Sequence, residues 1–148
     1  MKIQYTKVAR CNNTPVVDYY FRAMIELTDK GHNHQSVSFS YDQQAIVAEH
    51  KGRIVGVLLY DIQEWGNSLL VVLGYVSKGY RKQGIYSELW KRAVAIAKAA
   101  GLGKIQGGTH HTNKAMQKVM AKQGRVKTMV LYEYAVPKKG KGESHGKK

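Results

Sequence analysis

Residues 79–86 read GYRKQGIY and separate two stretches of opposite character. Ahead of them runs LLVVLGYV, Leu69 to Val76, an apolar run of strand type. Behind them runs SELWKRAVAIAKAAG, Ser87 to Gly101, with the spacing of an amphipathic helix. A chain that leaves a strand, turns and enters a helix exposes the first backbone N–H groups of that helix. Together they carry roughly half a positive charge, and phosphate binds to them readily. Gly84 removes a Cβ where a ligand approaches the backbone, and Arg81 and Lys82 add positive charge. The segment lacks the G-x-x-x-x-G-K-[ST] of a Walker loop. It also lacks the glycine count of a dinucleotide fingerprint. Taken alone it reads either as an anion-binding turn or as an ordinary basic strand–helix connection.

Few other residues carry chemistry by spacing. His32 and His34 lie two apart in a polar loop, but no Cys, Asp or Glu is placed to complete a metal site, so none is expected. Cys11 is the only cysteine, which excludes an intramolecular disulfide and fits a reducing, cytoplasmic setting. His110 and His111 stand just ahead of Asn113, at the end of a short strand-like run.

The elements that must position these residues follow from periodicity. KIQYTKVAR, Lys2 to Arg10, alternates as a first strand, and Thr14-Pro15 opens a helix to about Leu27. A second short helix has room before AIVAEH, RIVGVLLYDI and SLLVVLGYV. These three runs read as consecutive antiparallel strands, turned at Lys51-Gly52 and at Glu64 to Asn67. After the turn comes a helix with Ile85, Leu89, Ile96 and Ala100 near one face and Gly101 as its stop. KIQGGTH, Lys104 to His110, is a short strand. Thr112 to Gly124 is a helix capped by Thr112, with Ala115, Met116, Val119 and Met120 on its apolar side. RVKTMVLYEYAV, Arg125 to Val136, gives one long or two short final strands.

The 148 residues make one domain, expected over 1–136, followed by a basic, disordered tail over 137–148. There is no apolar run long enough to span a membrane and no signal-peptide pattern in MKIQYTKVAR. The net charge is +14, of which the tail carries +4. Such a balance favours anionic partners, nucleic acid or another polyanion among them.

The run Arg81-Lys-Gln-Gly84-Ile-Tyr86 resembles the [RQ]-x-x-G-x-[GA] turn of the GNAT superfamily of N-acetyltransferases. Asn113 opens a helix ending in Lys122-Gln-Gly124, similar to that family's N-x-x-A-x-x-x-Y-x-K-x-G-F. The likeness in motif runs from about residue 53 to 125 and is topological elsewhere. It implies an α/β (α+β) fold. The expected core is a central mixed, mostly antiparallel twisted sheet of six to seven strands, with helices on both faces. A splayed parallel pair of strands would form a cleft for acetyl-coenzyme A. By the same resemblance, backbone groups near Tyr75, Val76 and Ser77 would hold the pantetheine arm and the oxyanion. The turn Arg81, Lys82, Gln83, Gly84, Ile85 and Tyr86 would take the pyrophosphate. Asn113 would contact the cofactor or order the site, and Lys118 and Lys122 could meet adenosine phosphates.

The implied reaction is direct transfer of acetyl from a thioester to a neutral amine through a tetrahedral intermediate. Three positions depart from the family pattern. Tyr86 stands where a small residue is usual. Met120 stands where the family's tyrosine acid falls, and a thioether cannot donate a proton. Arg125 stands where the family prefers phenylalanine. Tyr132 and Tyr134 are then alternative acids. His110 is the favoured base, because an imidazole accepts protons near neutral pH, with His111, Glu64 and Asp61 behind it.

The acceptor is open: a protein or small-molecule amine, or an amine borne by nucleic acid, such as aminoacyl-tRNA or a modified base. Few acids are available to hold a cationic small substrate, which disfavours aminoglycosides and polyamines, while the basic charge favours nucleic acid. A protein that binds coenzyme A and acts through a partner is the non-enzymatic alternative. A dimer is compatible with all of these.

Overall fold

The computed structural model describes residues 1–32 and 43–140. His34 and the region for a second early helix lie outside the described residues, as does most of the basic tail.

Strand β1 (Gln4–Val8) is followed by helix α1 (Pro15–Asp29). Thr14 caps α1 by accepting from the Val16 amide at 3.3 Å, with Pro15 in the first turn. Then come β2 (Gln44–His50), β3 (Arg53–Gln63) and β4 (Ser68–Val76). The Lys51-Gly52 turn has positive φ at both residues, 50° and 75°, as a two-residue hairpin with the right twist requires. A short 3-10 turn (Lys78–Tyr80) leads to α2 (Ile85–Ala99), β5 (Lys104–Gly107) and α3 (Lys114–Lys122). The sheet order is β1-β2-β3-β4-β5, antiparallel up to β4 and parallel between β4 and β5.

Strand β3 is central and buried from Val55 to Tyr60, so its sequence is a continuous apolar run rather than an alternation. One face of the sheet, with Leu58, Tyr60, Leu69 and Val71, receives α2 through Ile85, Leu89, Ala93 and Ala97. The other face, with Val47, Val57, Leu59 and Leu73, receives α1 through Val16, Tyr19, Tyr20 and Ala23.

Three expectations need correction. The sheet has five strands among the described residues, not six to seven. Residues 125–136 form no strand, and Val126, Met129, Val130, Leu131, Tyr132, Tyr134 and Val136 are exposed. Alternation favours extended chain, but a strand also needs a partner's hydrogen bonds. The free edge on that side of the sheet, β5, is only four residues long. Second, α3 is capped by Asn113, whose Oδ1 accepts from the Met116 amide at 3.2 Å, and not by Thr112. The Thr112 hydroxyl instead donates to the Gly31 carbonyl and meets His32 and His110. Third, the buried stripe of α2 runs through Ala93 and Ala97, while Ile96 flanks it and Ala100 caps the helix in solvent.

Candidate active site

Strands β4 and β5 pair from Ser68 with Lys104 to Val71 with Gly107, and there the ladder ends. β4 continues to Val76 beside β3 alone, so a gap opens beyond Val71. The Ser77 amide donates to the Val55 carbonyl at 2.9 Å, which sets the parity of the antiparallel ladder. Tyr75 and Ser77 therefore turn their backbone groups toward β3. Gly74 and Val76 turn theirs the other way, into the gap. The sequence places the backbone contacts at Tyr75, Val76 and Ser77; the ladder leaves the Val76 amide available there, its carbonyl being held by Arg81, and adds Gly74.

The turn above the gap is built for backbone exposure. Lys82 and Gly84 have φ of 59° and 80°, and Gly84 is the N-cap of α2 with no side chain to satisfy the first-turn amides. Those orphan N–H groups face outward. Nothing in the chain lies within 4 Å of a Cβ built on Gly84, so the glycine answers its left-handed backbone and the open space above it. Gln83 holds the turn through Nε2 to the Gly79 carbonyl at 3.4 Å. Ile85 is buried in the core and Lys82 is exposed.

The Arg81 side chain has a structural partner set. Its Nε donates to the Val76 carbonyl at 2.8 Å, and Nη2 pairs with Glu26 at 2.7 Å. The guanidinium also lies over the Tyr75 ring, 5.4 Å from its centroid. Glu26, on α1, further accepts from the Tyr75 hydroxyl and from Lys30. Partial burial works against its ionisation. The Lys30, Tyr75 and Arg81 hydrogen bonds outweigh that and hold its carboxyl down at about 2. Burial first, then the Glu26 charge, pushes the Tyr75 phenol up. Tyr19 completes the cluster by edge contact with Tyr75 and a 2.8 Å hydrogen bond to Ser77. This cluster ties α1 to the end of β4 and to the turn. In the sequence Glu26 is only one of few acids, since Tyr75 and Arg81 lie far along the chain.

The gap is lined by Gly74, Tyr86, Thr109, Asn113, Met120 and Arg125, among others. Its polar groups fit a ligand with amides and carbonyls. Thr109 Oγ1 and Arg125 Nη1 are buried there without a hydrogen-bond partner. A pantetheine arm would meet those atoms and the backbone of Gly74 and Val76, and its phosphates would meet the amides of the turn. The residues present therefore suit acetyl-coenzyme A, which supplies an activated acetyl group when bound.

His110 lies next to Thr109 at the edge of the gap, half-buried, with Nδ1 2.7 Å from the Thr112 hydroxyl. His32 approaches the same hydroxyl at 2.7 Å, and the His111 ring centroid is 4.5 Å from that of His110. Among the described residues no group of side chains is arranged to hold a metal ion. Tyr132 and Tyr134 are 89% and 82% exposed and belong to no element, so nothing brings them to the gap. Glu64 is in the β3–β4 hairpin, at the opposite end of β4 from the gap, and Asp61 accepts from Gln43. Lys118 and Lys122 lie on the exposed side of α3.

The fold is shared with acetyltransferases of known structure. No curated protein matches the sequence. An aminoglycoside acetyltransferase from an uncultured soil metagenomic sample, in complex with trehalose, superposes with a TM-score of 0.69 at 14% identity. That match covers 92% of this chain and 97% of the other. The aminoglycoside acetyltransferase AAC(6')-Iy, bound to a bisubstrate analogue of coenzyme A and acetylneamine, gives 0.62 at 14% identity over 93% and 99% of the two chains. An acetyltransferase of the GNAT family from Staphylococcus aureus gives 0.65 at 16% identity over 83% and 84%. The model of the Acetyltransferase (GNAT) family matches residues 8–124, and the chain belongs to that family of acetyl-CoA-dependent enzymes.

Proposed function

We propose that this enzyme transfers acetyl from acetyl-coenzyme A directly to a primary amine presented at the mouth of the β4–β5 gap. The observation that carries the reading is the gap itself, where Gly74 and Val76 turn their backbone groups away from β3, below the uncapped N-terminus of α2. An amide at Gly74 or Val76 stabilises the oxyanion of the tetrahedral intermediate. His110, at the edge of the gap, takes the proton that the attacking amine loses. Tyr132 and Tyr134 have no part in this reading, because both stand exposed away from the gap.

The acceptor is proposed to be a small-molecule or protein amine. Full-length likeness to two aminoglycoside acetyltransferases supports a compact polyamine or aminosugar, against the scarcity of acids noted in the sequence. The net charge of +14 favours a second reading, an amine carried on nucleic acid. Calorimetric binding of acetyl-coenzyme A, with thiol release measured against aminoglycosides, a lysine-peptide pool, tRNA and DNA, tests both. Saturable binding with release dependent on one acceptor class supports transfer and names the class. Binding with no release from any acceptor would favour a coenzyme A-binding protein, and no binding would overturn the placement of the cofactor.

A further inference from the structure

Two residues that depart from the family pattern, Tyr86 and Arg125, meet in the gap. Tyr86 rises from the first turn of α2 and lies against Gly74. A Cβ at position 74 would sit 2.4 Å from Tyr86 Cε2 and 3.0 Å from its hydroxyl oxygen. Arg125 reaches the same place from beyond α3. Its charge acts on the Tyr86 phenol, Nη2 donates to the Gly107 carbonyl at 3.3 Å, and the guanidinium stacks on Trp90 at 4.8 Å. A Cβ at Gly107 would sit 2.8 Å from that Nη2. Each splayed strand thus carries a glycine where one of these two side chains lies, and the pair bridges the gap where the strand ladder ends.

A guanidinium has donors only, so Arg125 cannot take the phenol's proton, which stays available to a ligand. Among the described residues no acceptor takes that proton. The other polar side chains lining the gap offer less. Asn113 Oδ1 caps α3, the Thr109 hydroxyl is far less acidic than a phenol, and Met116 and Met120 carry no polar hydrogen.

We propose that the Tyr86 hydroxyl is the hydrogen-bond donor to the sulfur that leaves the acetyl group, with Arg125 holding the phenol in place. This rests on the acetyl-transfer reading above. As the amine nitrogen bonds to the carbonyl carbon and the carbon–sulfur bond breaks, the electron pair passes to sulfur. The thiolate accepts from Tyr86 O–H. The proton lost by the amine leaves through His110, and the thiol re-forms by taking a proton from water. Burial raises the Tyr86 phenol pKa against the opposing pull of Arg125, so the group stays protonated at neutral pH and acts as a donor.

Tyr86→Phe keeps the ring on Gly74 and removes only the hydroxyl. The first readout needs no acceptor: the thiol pKa of bound coenzyme A, followed by thiolate absorbance in a pH titration. Loss of the donor is expected to raise it by about 1 unit. The second is steady-state transfer, with kcat expected to fall roughly 100-fold and KM for the cofactor nearly unchanged. Equal thiol pKa values in the two proteins, or an unchanged kcat, would overturn the proposal. A folded Tyr86→Phe that no longer binds coenzyme A would overturn it too, by making the hydroxyl part of binding. Should that variant not fold by circular dichroism, Arg125→Gln takes its place, with a raised bound-thiol pKa expected and an unchanged one counting against the pair. If the wild type binds coenzyme A yet transfers acetyl to no amine, the acetyl-transfer reading fails, while the thiol comparison still decides Tyr86.

Discussion

Gly74 and Gly84 are glycines for different physical reasons, and substitutions separate them. Gly84 has φ of +80° with open space around it, so Gly84→Ala mainly strains the backbone, by roughly 1–2 kcal/mol. Gly84→Trp adds bulk where phosphate is placed, and it is expected to abolish acetyl-coenzyme A binding in calorimetry. Normal binding by that variant would mean that the turn does not hold the pyrophosphate. Gly74 instead makes room for Tyr86. Gly74→Val forces the phenol out of the gap and is expected to cost about 1–3 kcal/mol. Adding Tyr86→Ala to Gly74→Val should return part of that stability, although Tyr86→Ala alone destabilises. Thermal unfolding of the four proteins measures the coupling, and simple additivity would sink the account of this contact.

Helix α1 reaches the turn through Glu26, and pH should reveal how much that anchor contributes. The Glu26 carboxyl sits at about 2, below its ordinary 4.5. A group depressed in the folded state stabilises above its unfolded pKa, and that contribution is lost as pH falls toward the folded value. Stability should therefore drop between about pH 4.5 and pH 2, and Glu26→Gln should flatten that part of the profile. At neutral pH the same substitution should cost on the order of 1 kcal/mol, because the pair with Arg81 is partly screened by solvent. A profile identical to wild type in this window would count against the anchor. The element pattern itself was legible in the sequence. Thr14-Pro15 announced α1, the Lys51-Gly52 hairpin followed from its turn residues, and the continuous apolar run of β3 matched its burial on both faces. What the chain concealed was pairing at long range. RVKTMVLYEYAV alternates like a strand, yet periodicity cannot say whether an edge is free to receive it. Tyr86 and Arg125 looked like unrelated departures from a pattern, because nothing in their spacing says that Gly74 and Gly107 leave room for both.

At the scale of the whole molecule the dominant quantity is charge. A net +14 on 148 residues attracts any polyanion, so affinity alone cannot distinguish a specific ligand from a nonspecific one. Salt can. Acetyl-coenzyme A should be held by a fixed turn, by amides in the gap and by apolar contact, so its Kd should rise only several-fold between 50 and 500 mM salt, both round values set by the usual screening range. Nucleic acid held by dispersed lysines should lose on the order of a thousandfold or more over the same range. Deleting residues 137–148 removes +4 of the charge and none of the residues that line the gap. Cofactor affinity should then stay within about twofold, while the salt slope for tRNA or DNA becomes shallower by up to four phosphate contacts. A tRNA affinity that resists salt and survives the deletion would instead place the nucleic acid on the folded body and would favour the nucleic-acid-borne amine as acceptor.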